Sequence, residues 1–109
     1  EINDKIALCT GEEGQVYDPV TAAQAADMLL QMSGIEASFV IFERADNKIG
    51  ISARSMGNVN VQVIMEKMGG GGHLANAATQ ISDKDITQVK QELVDILTKT
   101  DKEQDDTEE

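Results

Sequence analysis

Apolar residues that recur with a period of two predict three strands in the first half of the chain, over Lys5–Cys9, Ala37–Arg44 and Lys48–Ser55. The run Ala37–Arg44 is apolar on both alternating faces, which indicates a strand that is covered on both sides. A tight turn at Asp46–Asn47 is expected to join it to the third strand. That strand has one apolar face, whereas its other face consists of small residues and ends at Arg54. A strand face made of small residues and one cation is not typical of a face that is exposed to solvent.

Apolar residues spaced three and four apart predict helices between and after these strands. The first helix is expected to begin at Asp18–Pro19 and to stop near Gly34. A short second helix, capped by Asn58 or Asn60, has an apolar stripe made of Val61, Ile64, Met65 and Met68. The last helix is expected to open at Ser82-x-x-Asp85, and its stripe is Ile86, Val89, Leu93, Ile96 and Leu97.

Between the last two helices the sequence reads MGGGGHLANAATQ (Met68–Gln80). The segment HLANAA is expected to form one or two helical turns and ATQI a final strand. The order is then roughly β-α-β-β-α-(Gly loop)-α-β-α. This order predicts a small single α/β domain with a mixed sheet of about four to five strands, packed with helices.

Composition limits the function classes. The chain has 109 residues, one cysteine and a net charge of −11, of which residues 101–109 contribute a large share. An acidic body disfavours long nucleic acids, which need many Lys and Arg contacts to phosphates. We expect a linker over residues 1–4, the domain over 5–99, and an acidic disordered tail over 100–109. Cys9, in an apolar run, is expected to be a buried and inert thiol.

The four consecutive glycines, Gly69–Gly72, admit three interpretations. A flexible linker is disfavoured because predicted helices flank the run closely. A helix C-cap needs one or two glycines only. The third interpretation is a loop whose backbone approaches an anion, next to a helix that begins at His73–Leu74. The patterns GxGxxG and Gly-Lys-Ser/Thr are both absent, which argues against the common nucleotide-binding loops.

Three side chains add to the anion interpretation. His73, the chain's only histidine, has no second His for a zinc site and can donate to a phosphate without a partner. Asn76 lies three residues further on, on the same face of the predicted helix. Arg54 has a planar guanidinium that suits bidentate contact with phosphate. Together with the glycines, these residues predict a phosphate or nucleotide pocket.

The segment GGGGHLANAATQ, with the strand motif S-x-R-S upstream in ISARS, resembles the small C-terminal domain of DHH-family phosphoesterases. The resemblance covers roughly Lys5 to Leu97. Within that family, the four glycines and HLxNAATQ are most similar to the membrane-anchored bacterial phosphodiesterases that cleave cyclic di-AMP. Ala75 departs from the family, in which a more polar residue is frequent.

The resemblance implies a role for each residue that matches the motifs. Gly70, Gly71 and Gly72, with His73, would contact the substrate phosphate. Arg54 and Ser55 would add charge or hydrogen bonds, and Asn76 would position the nucleotide. The reaction would be hydrolysis of one 3′–5′ phosphodiester of a cyclic dinucleotide to a linear dinucleotide.

The resemblance also implies partners. No Asp-His-His triplet occurs here, so this chain is expected to bind no metal and to be inactive alone. Two manganese ions would lie in an upstream DHH domain, part of a longer protein that is anchored in the membrane. This portion would be cytoplasmic, without membrane contact, and a homodimer is allowed. The alternatives are the same domain type in an enzyme acting on short RNA or single-stranded DNA, or a non-catalytic nucleic-acid-binding module.

Overall fold

The computed structural model describes residues 5–108, with side chains described as far as Lys99. The predicted linker over residues 1–4 lies outside the described residues, and the predicted disorder of the tail over 100–109 stays a prediction. Five strands and three helices follow in the order β1 (Ile6–Thr10), α1 (Pro19–Leu30), β2 (Ala37–Glu43), β3 (Ile49–Ser55), α2 (Val61–Glu66), β4 (Gly71–His73), β5 (Asn76–Ile81) and α3 (Ile86–Glu108). The predicted α/β class and mixed sheet are confirmed.

The sheet has the strand order β1-β2-β3-β5-β4. Strand β1 runs parallel to β2, and the remaining neighbours are antiparallel. Side chains of one face pack with α2 and α3 into the larger core, which is built around Phe39, Ile51, Met65 and Leu93. On the opposite face, α1 packs over β2 and β3, where Ala22 and Ala26 meet Val40 and Phe42.

Local signals in the sequence explain where the helices begin. The Asp18 carboxylate accepts from the Val20 N–H, with Pro19 in the first turn of α1, and Asn60 accepts from the Val63 N–H at the start of α2. For α3 the predicted start was three residues too early. Asp85 and Gln88 form a reciprocal capping box, in which each side chain accepts from the other's backbone N–H (2.8 and 2.9 Å).

The predicted helical turns at HLANAA are wrong. The segment is instead a hairpin in which β4 and β5 are joined by a two-residue turn, Leu74–Ala75. Both turn carbonyls are held: the Val61 N–H donates to Leu74 O (3.1 Å) and the Ser55 N–H donates to Ala75 O (2.9 Å). The small residues of this segment, which suggested a helix, fit a strand instead, and the Ala77 side chain is buried in the core.

The expected burial of Cys9 is also wrong, because its thiol is exposed. Strand β1 is an edge strand of the sheet. Its first two residues, Ile6 and Ala7, are buried, and exposure then increases toward Thr10. An apolar run therefore does not ensure burial when the strand has a neighbour on one side only.

Candidate functional site

Arg54, Asn76 and His73 lie in one row across three adjacent strands. Arg54 of β3 is directly opposite Asn76 of β5, and Asn76 is directly opposite His73 of β4. Residues directly opposite one another in antiparallel strands project from the same face of the sheet. The prediction that His73 and Asn76 share one face of a helix is wrong, because they lie in a hairpin, and the register of that hairpin places them on one face of the sheet.

This row belongs to the face that α1 covers. Beyond α1, the β5 and β4 part of that face lies open to solvent. We call it the β4–β5 platform, and it consists of Gly71, His73, Asn76, Ala78 and Gln80. The three β5 residues of the platform and His73 are exposed, whereas Ala77 and Thr79, which alternate with them along β5, are buried. The platform is thus an exposed part of the sheet face that is bordered by Arg54, and Gly71 and Ala78 add little side-chain bulk to it.

Arg54 is held from two sides. Its Nε donates to Asp27 Oδ1 of α1 at 2.8 Å, and its Nη1 donates to Ala53 O at 2.9 Å. Only 14% of the Arg54 side chain is exposed, against 56% for Asp27. Within the described residues, Nη2 has no hydrogen-bond partner. A buried guanidinium with a fixed plane and free N–H donors can bind an oxyanion.

The side chains of His73 and Asn76 likewise have no hydrogen-bond partner among residues 5–99. Their ring nitrogens and amide are therefore available to a ligand on the platform. Strand β4 is also the last strand in the sheet order, so its outer side carries backbone groups without a strand neighbour in the described sheet. The site combines one fixed cation, an imidazole, an amide and an open strand edge.

Three of the four glycines are required by the fold. Gly69 has φ +86°, and its N–H donates to Glu66 O while the Gly70 N–H donates to Met65 O. This pair of bonds is the Schellman motif that ends α2. A Cβ on Gly70 would collide with the carbonyl oxygen of Ala78. Gly72 has φ +145°, and a Cβ there would lie 2.5 Å from the Cα of Ala77.

Gly71 is the exception. A Cβ on Gly71 would meet nothing within 4 Å, and its φ is not in the left-handed region. Gly71 is directly opposite Ala78, so the space above it belongs to the platform. Neither packing against the described residues nor backbone conformation explains this glycine.

Gly70 and Gly72, two of the predicted site residues, serve the packing of the hairpin and do not belong to the platform, and neither does Ser55. It is directly opposite Ala37, on the face that packs with α2 and α3, and it is buried. Its Oγ accepts from the Gly57 N–H (2.9 Å) and the Val59 N–H (3.4 Å). Ser55 therefore shapes the loop after β3.

The sequence did not reveal Asp27 or the exposed β5 residues Ala78 and Gln80. Asp27 follows Ala23 by four residues and precedes Leu30 by three, so it lies at the margin of the apolar stripe of α1. A carboxylate at such a margin suggests a partner on the sheet, but the sequence cannot identify Arg54 as that partner. Ala78 and Gln80 lie within the predicted strand Ala78–Ile81, but they were missed because the sequence does not show that this strand pairs with β3 and β4.

The described residues show neither a metal-ligand cluster nor a membrane-spanning helix. No group of three or more His, Cys, Asp or Glu side chains there is placed to bind a metal ion. No helix in that part of the chain combines the length and hydropathy needed to cross a bilayer.

Comparison with known proteins gives the family. The sequence profile of the DHHA1 domain matches residues 3–102, and the chain therefore belongs to the DHHA1 domain family. Over 95 residues it is 55% identical to the cyclic-di-AMP phosphodiesterase PdeA of Listeria monocytogenes serotype 1/2a (strain 10403S), covering 87% of this chain. The chain spans 14% of the length of that relative.

Two solved structures share the fold. The pGpG-specific phosphodiesterase PggH from Vibrio cholerae matches 90% of this chain and 35% of its own, with a TM-score of 0.61 and 19% identity. The C-Ala domain of alanyl-tRNA synthetase from Aquifex aeolicus matches 85% of this chain and 88% of its own, also with a TM-score of 0.61 and 19% identity. Because one fold occurs in both proteins, the fold alone does not decide the function.

Proposed function

We propose that this chain is the substrate-binding domain of a longer phosphodiesterase that hydrolyses cyclic di-AMP to a linear dinucleotide. The observation that carries the proposal is the row formed by Arg54, Asn76 and His73 beside Gly71, the glycine whose lack of a side chain the fold does not explain. The 55% identity to a cyclic-di-AMP phosphodiesterase supports this substrate over a long nucleic acid. The net charge of −11 supports the same choice.

In this proposal the platform binds one phosphate of the substrate. Arg54 supplies the charge, and the backbone at Gly71 lets the phosphate approach the strand edge. His73 donates a hydrogen bond to a phosphate oxygen, and Asn76 orients the attached nucleoside through its amide. These contacts position the phosphodiester bond and stabilise its negative charge, which are the protein's main contributions in this type of reaction.

The described residues of this domain do not form a metal centre. We therefore assign the manganese ions to a DHH domain elsewhere in the longer protein, where they would activate water. The DHHA1 domain supplies no step of bond cleavage in this assignment. Attachment of the longer protein to the membrane is part of the same proposal.

A ligand titration followed by amide NMR tests the binding site on this chain directly. Cyclic di-AMP should shift the amides of Gly71, His73 and Asn76 and the side-chain Nε–H of Arg54. The turn at Asn47, between β2 and β3, is an internal reference that should stay unchanged. A linear dinucleotide and a single-stranded oligonucleotide of ten bases serve as comparison ligands. Tighter binding of the oligonucleotide, or shifts centred away from the platform, would contradict the proposal.

Substitutions in the longer protein test the roles of the side chains. Arg54→Ala should reduce kcat/KM for cyclic di-AMP by about 10- to 100-fold, since a hydrogen bond to a charged group contributes about 1.5–3 kcal/mol. His73→Ala should cause a smaller loss. Lys90→Ala, which removes an exposed cation from α3 on the other face of the sheet, is the matched control and should be near wild type. Unchanged turnover in Arg54→Ala would remove the arginine from the site.

A further inference from the structure

The ion pair between Asp27 and Arg54 connects helix α1 to the border of the platform. The Nε–Oδ1 distance is 2.8 Å, and the arginine side chain is largely buried while Asp27 is mostly exposed. Solvent at the exposed Asp27 carboxylate weakens the contribution of this pair to folding stability. The pair also restricts the arginine, and that effect concerns the ligand.

We propose that Asp27 is a positioning residue, which fixes the guanidinium of Arg54 for the substrate phosphate. The inference rests on the proposed function, because it requires that Arg54 binds the ligand. Two contacts define the plane of the guanidinium: Nε donates to Asp27 and Nη1 donates to Ala53 O. The N–H donors that remain, including both on Nη2, then have a fixed direction before the ligand arrives.

The energetic argument is one of pre-organisation. Arginine carries a long side chain with many rotamers, and ordering it on binding costs about 0.5–1.5 kcal/mol. The hydrogen bond to Asp27 already orders the arginine side chain in the free protein, so this cost does not arise on binding. The carboxylate has an opposing effect as well, because its negative charge repels a phosphate bound nearby. Positioning and repulsion predict opposite changes in affinity when Asp27 is removed, so a measurement can separate them.

Steady-state kinetics with cyclic di-AMP in the longer protein provide that measurement. Asp27→Ala should raise KM by about 3- to 10-fold, with a smaller change in kcat, because the lost ordering energy affects binding. Asp27→Asn retains an amide oxygen that accepts from Nε, and it should stay within about 2-fold of wild type. Met28→Ala, at the neighbouring exposed position of α1, is the control for general damage to the helix and should be silent.

A double-mutant cycle makes the test specific. In an Arg54→Ala background, Asp27→Ala should cause no further loss of kcat/KM, because its effect acts through the arginine. A lower KM in Asp27→Ala would overturn the inference and show that repulsion dominates. An equal loss in both backgrounds would overturn it by showing an effect on the fold or on another group.

The same set of variants separates the two proposals. If Arg54→Ala lowers kcat/KM and Asp27→Ala does not, the proposed function stands and the positioning role of Asp27 is wrong. If Arg54→Ala leaves kcat/KM unchanged, the proposed function, as argued from Arg54, and the positioning role of Asp27 are both wrong. A fall in Tm of Asp27→Ala without a change in KM would assign the pair to stability alone.

Discussion

The two faces of strand β5 differ in what covers them. Ala77 and Thr79 lie beneath the α2 side of the sheet, where the Thr79 hydroxyl also donates to Met68 O (3.0 Å). Asn76, Ala78 and Gln80, which alternate with them, are exposed. Strand β5 is antiparallel to both of its neighbours, and an antiparallel sheet can keep one face in water. One face of β5 therefore serves the fold and the other is available for binding.

Helix α1 explains why the uncovered region is small and well defined. It packs over β2 and β3, where Gly50 leaves space for the ring of Phe42, whose atoms would lie 2.5 Å from a Cβ at position 50. The helix reaches the border of the platform through Asp27 and its ion pair with Arg54. Its placement leaves β4 and β5 as the open part of this face. The candidate binding surface and the core thus come from the same five strands.

The largest expected difference between the two faces is in stability. Ile51, 1% exposed on the α2–α3 face, should lose about 2–5 kcal/mol of unfolding free energy on substitution by alanine. Gln80→Ala, on the open face, should stay within about 0.5 kcal/mol. Thermal unfolding followed by circular dichroism measures both. Equal losses would mean that the platform is packed against something in the folded chain.

Adjacent glycines give the next largest effect. Gly70→Ala should destabilise the domain by about 1–3 kcal/mol, because its Cβ would meet the backbone of β5. For a domain of this size, each kcal/mol lowers Tm by about 4–8 °C. Gly71→Ala should leave Tm almost unchanged because its Cβ points into open space.

Binding should show the reverse order at these glycines. Gly71→Val is expected to keep the fold and to weaken the affinity for cyclic di-AMP, since the side chain fills the space above the strand. Titration calorimetry measures this, with the wild-type chain as reference. Undiminished affinity in Gly71→Val would show that the ligand does not approach the backbone there.

Most of the fold could be predicted from the sequence, because apolar periodicity and capping residues are local signals. The stripe Val61, Ile64, Met65 and Met68 is buried as predicted, and Asp18 and Asn60 cap their helices. The hairpin at Gly71–Ile81 was missed because alanines favour helix in isolation, while pairing with β3 decides the outcome.

The candidate site was only partly accessible to sequence reasoning. The composition of MGGGGHLAN predicts a ligand loop, which stays a prediction, and the individual glycines have different physical reasons. Gly69 ends a helix, Gly70 and Gly72 avoid collisions across the hairpin, and Gly71 alone has space above it. The role of Asp27 could not be predicted because its partner, Arg54, is 27 residues away in sequence. Long-range pairs of this kind depend on the register of the sheet.

The smallest expected effect lies at the other end of the sheet, in the turn between β2 and β3. The Arg44 guanidinium, which donates to the Asp46 carboxylate at 3.1 Å, lowers the pKa of that carboxyl from its usual value. A lowered folded-state pKa gives stability that is present above the unfolded pKa of about 3.9 and is lost as the pH falls through the folded pKa. Asp46→Asn should therefore lower Tm slightly at pH 7 and match the wild type near pH 2.

Thermal unfolding at several pH values checks this, and Asp83→Asn is a suitable control. Asp83 also lies between two elements of the fold, β5 and α3, and its own φ is +67°. No ion pair among the described residues involves it. Its substitution measures the effect of removing a turn carboxylate that has no ion pair. Because the Asp46 carboxylate is exposed, salt should reduce the difference further. A difference that persists at pH 2 would assign the effect to the turn conformation and not to the charge.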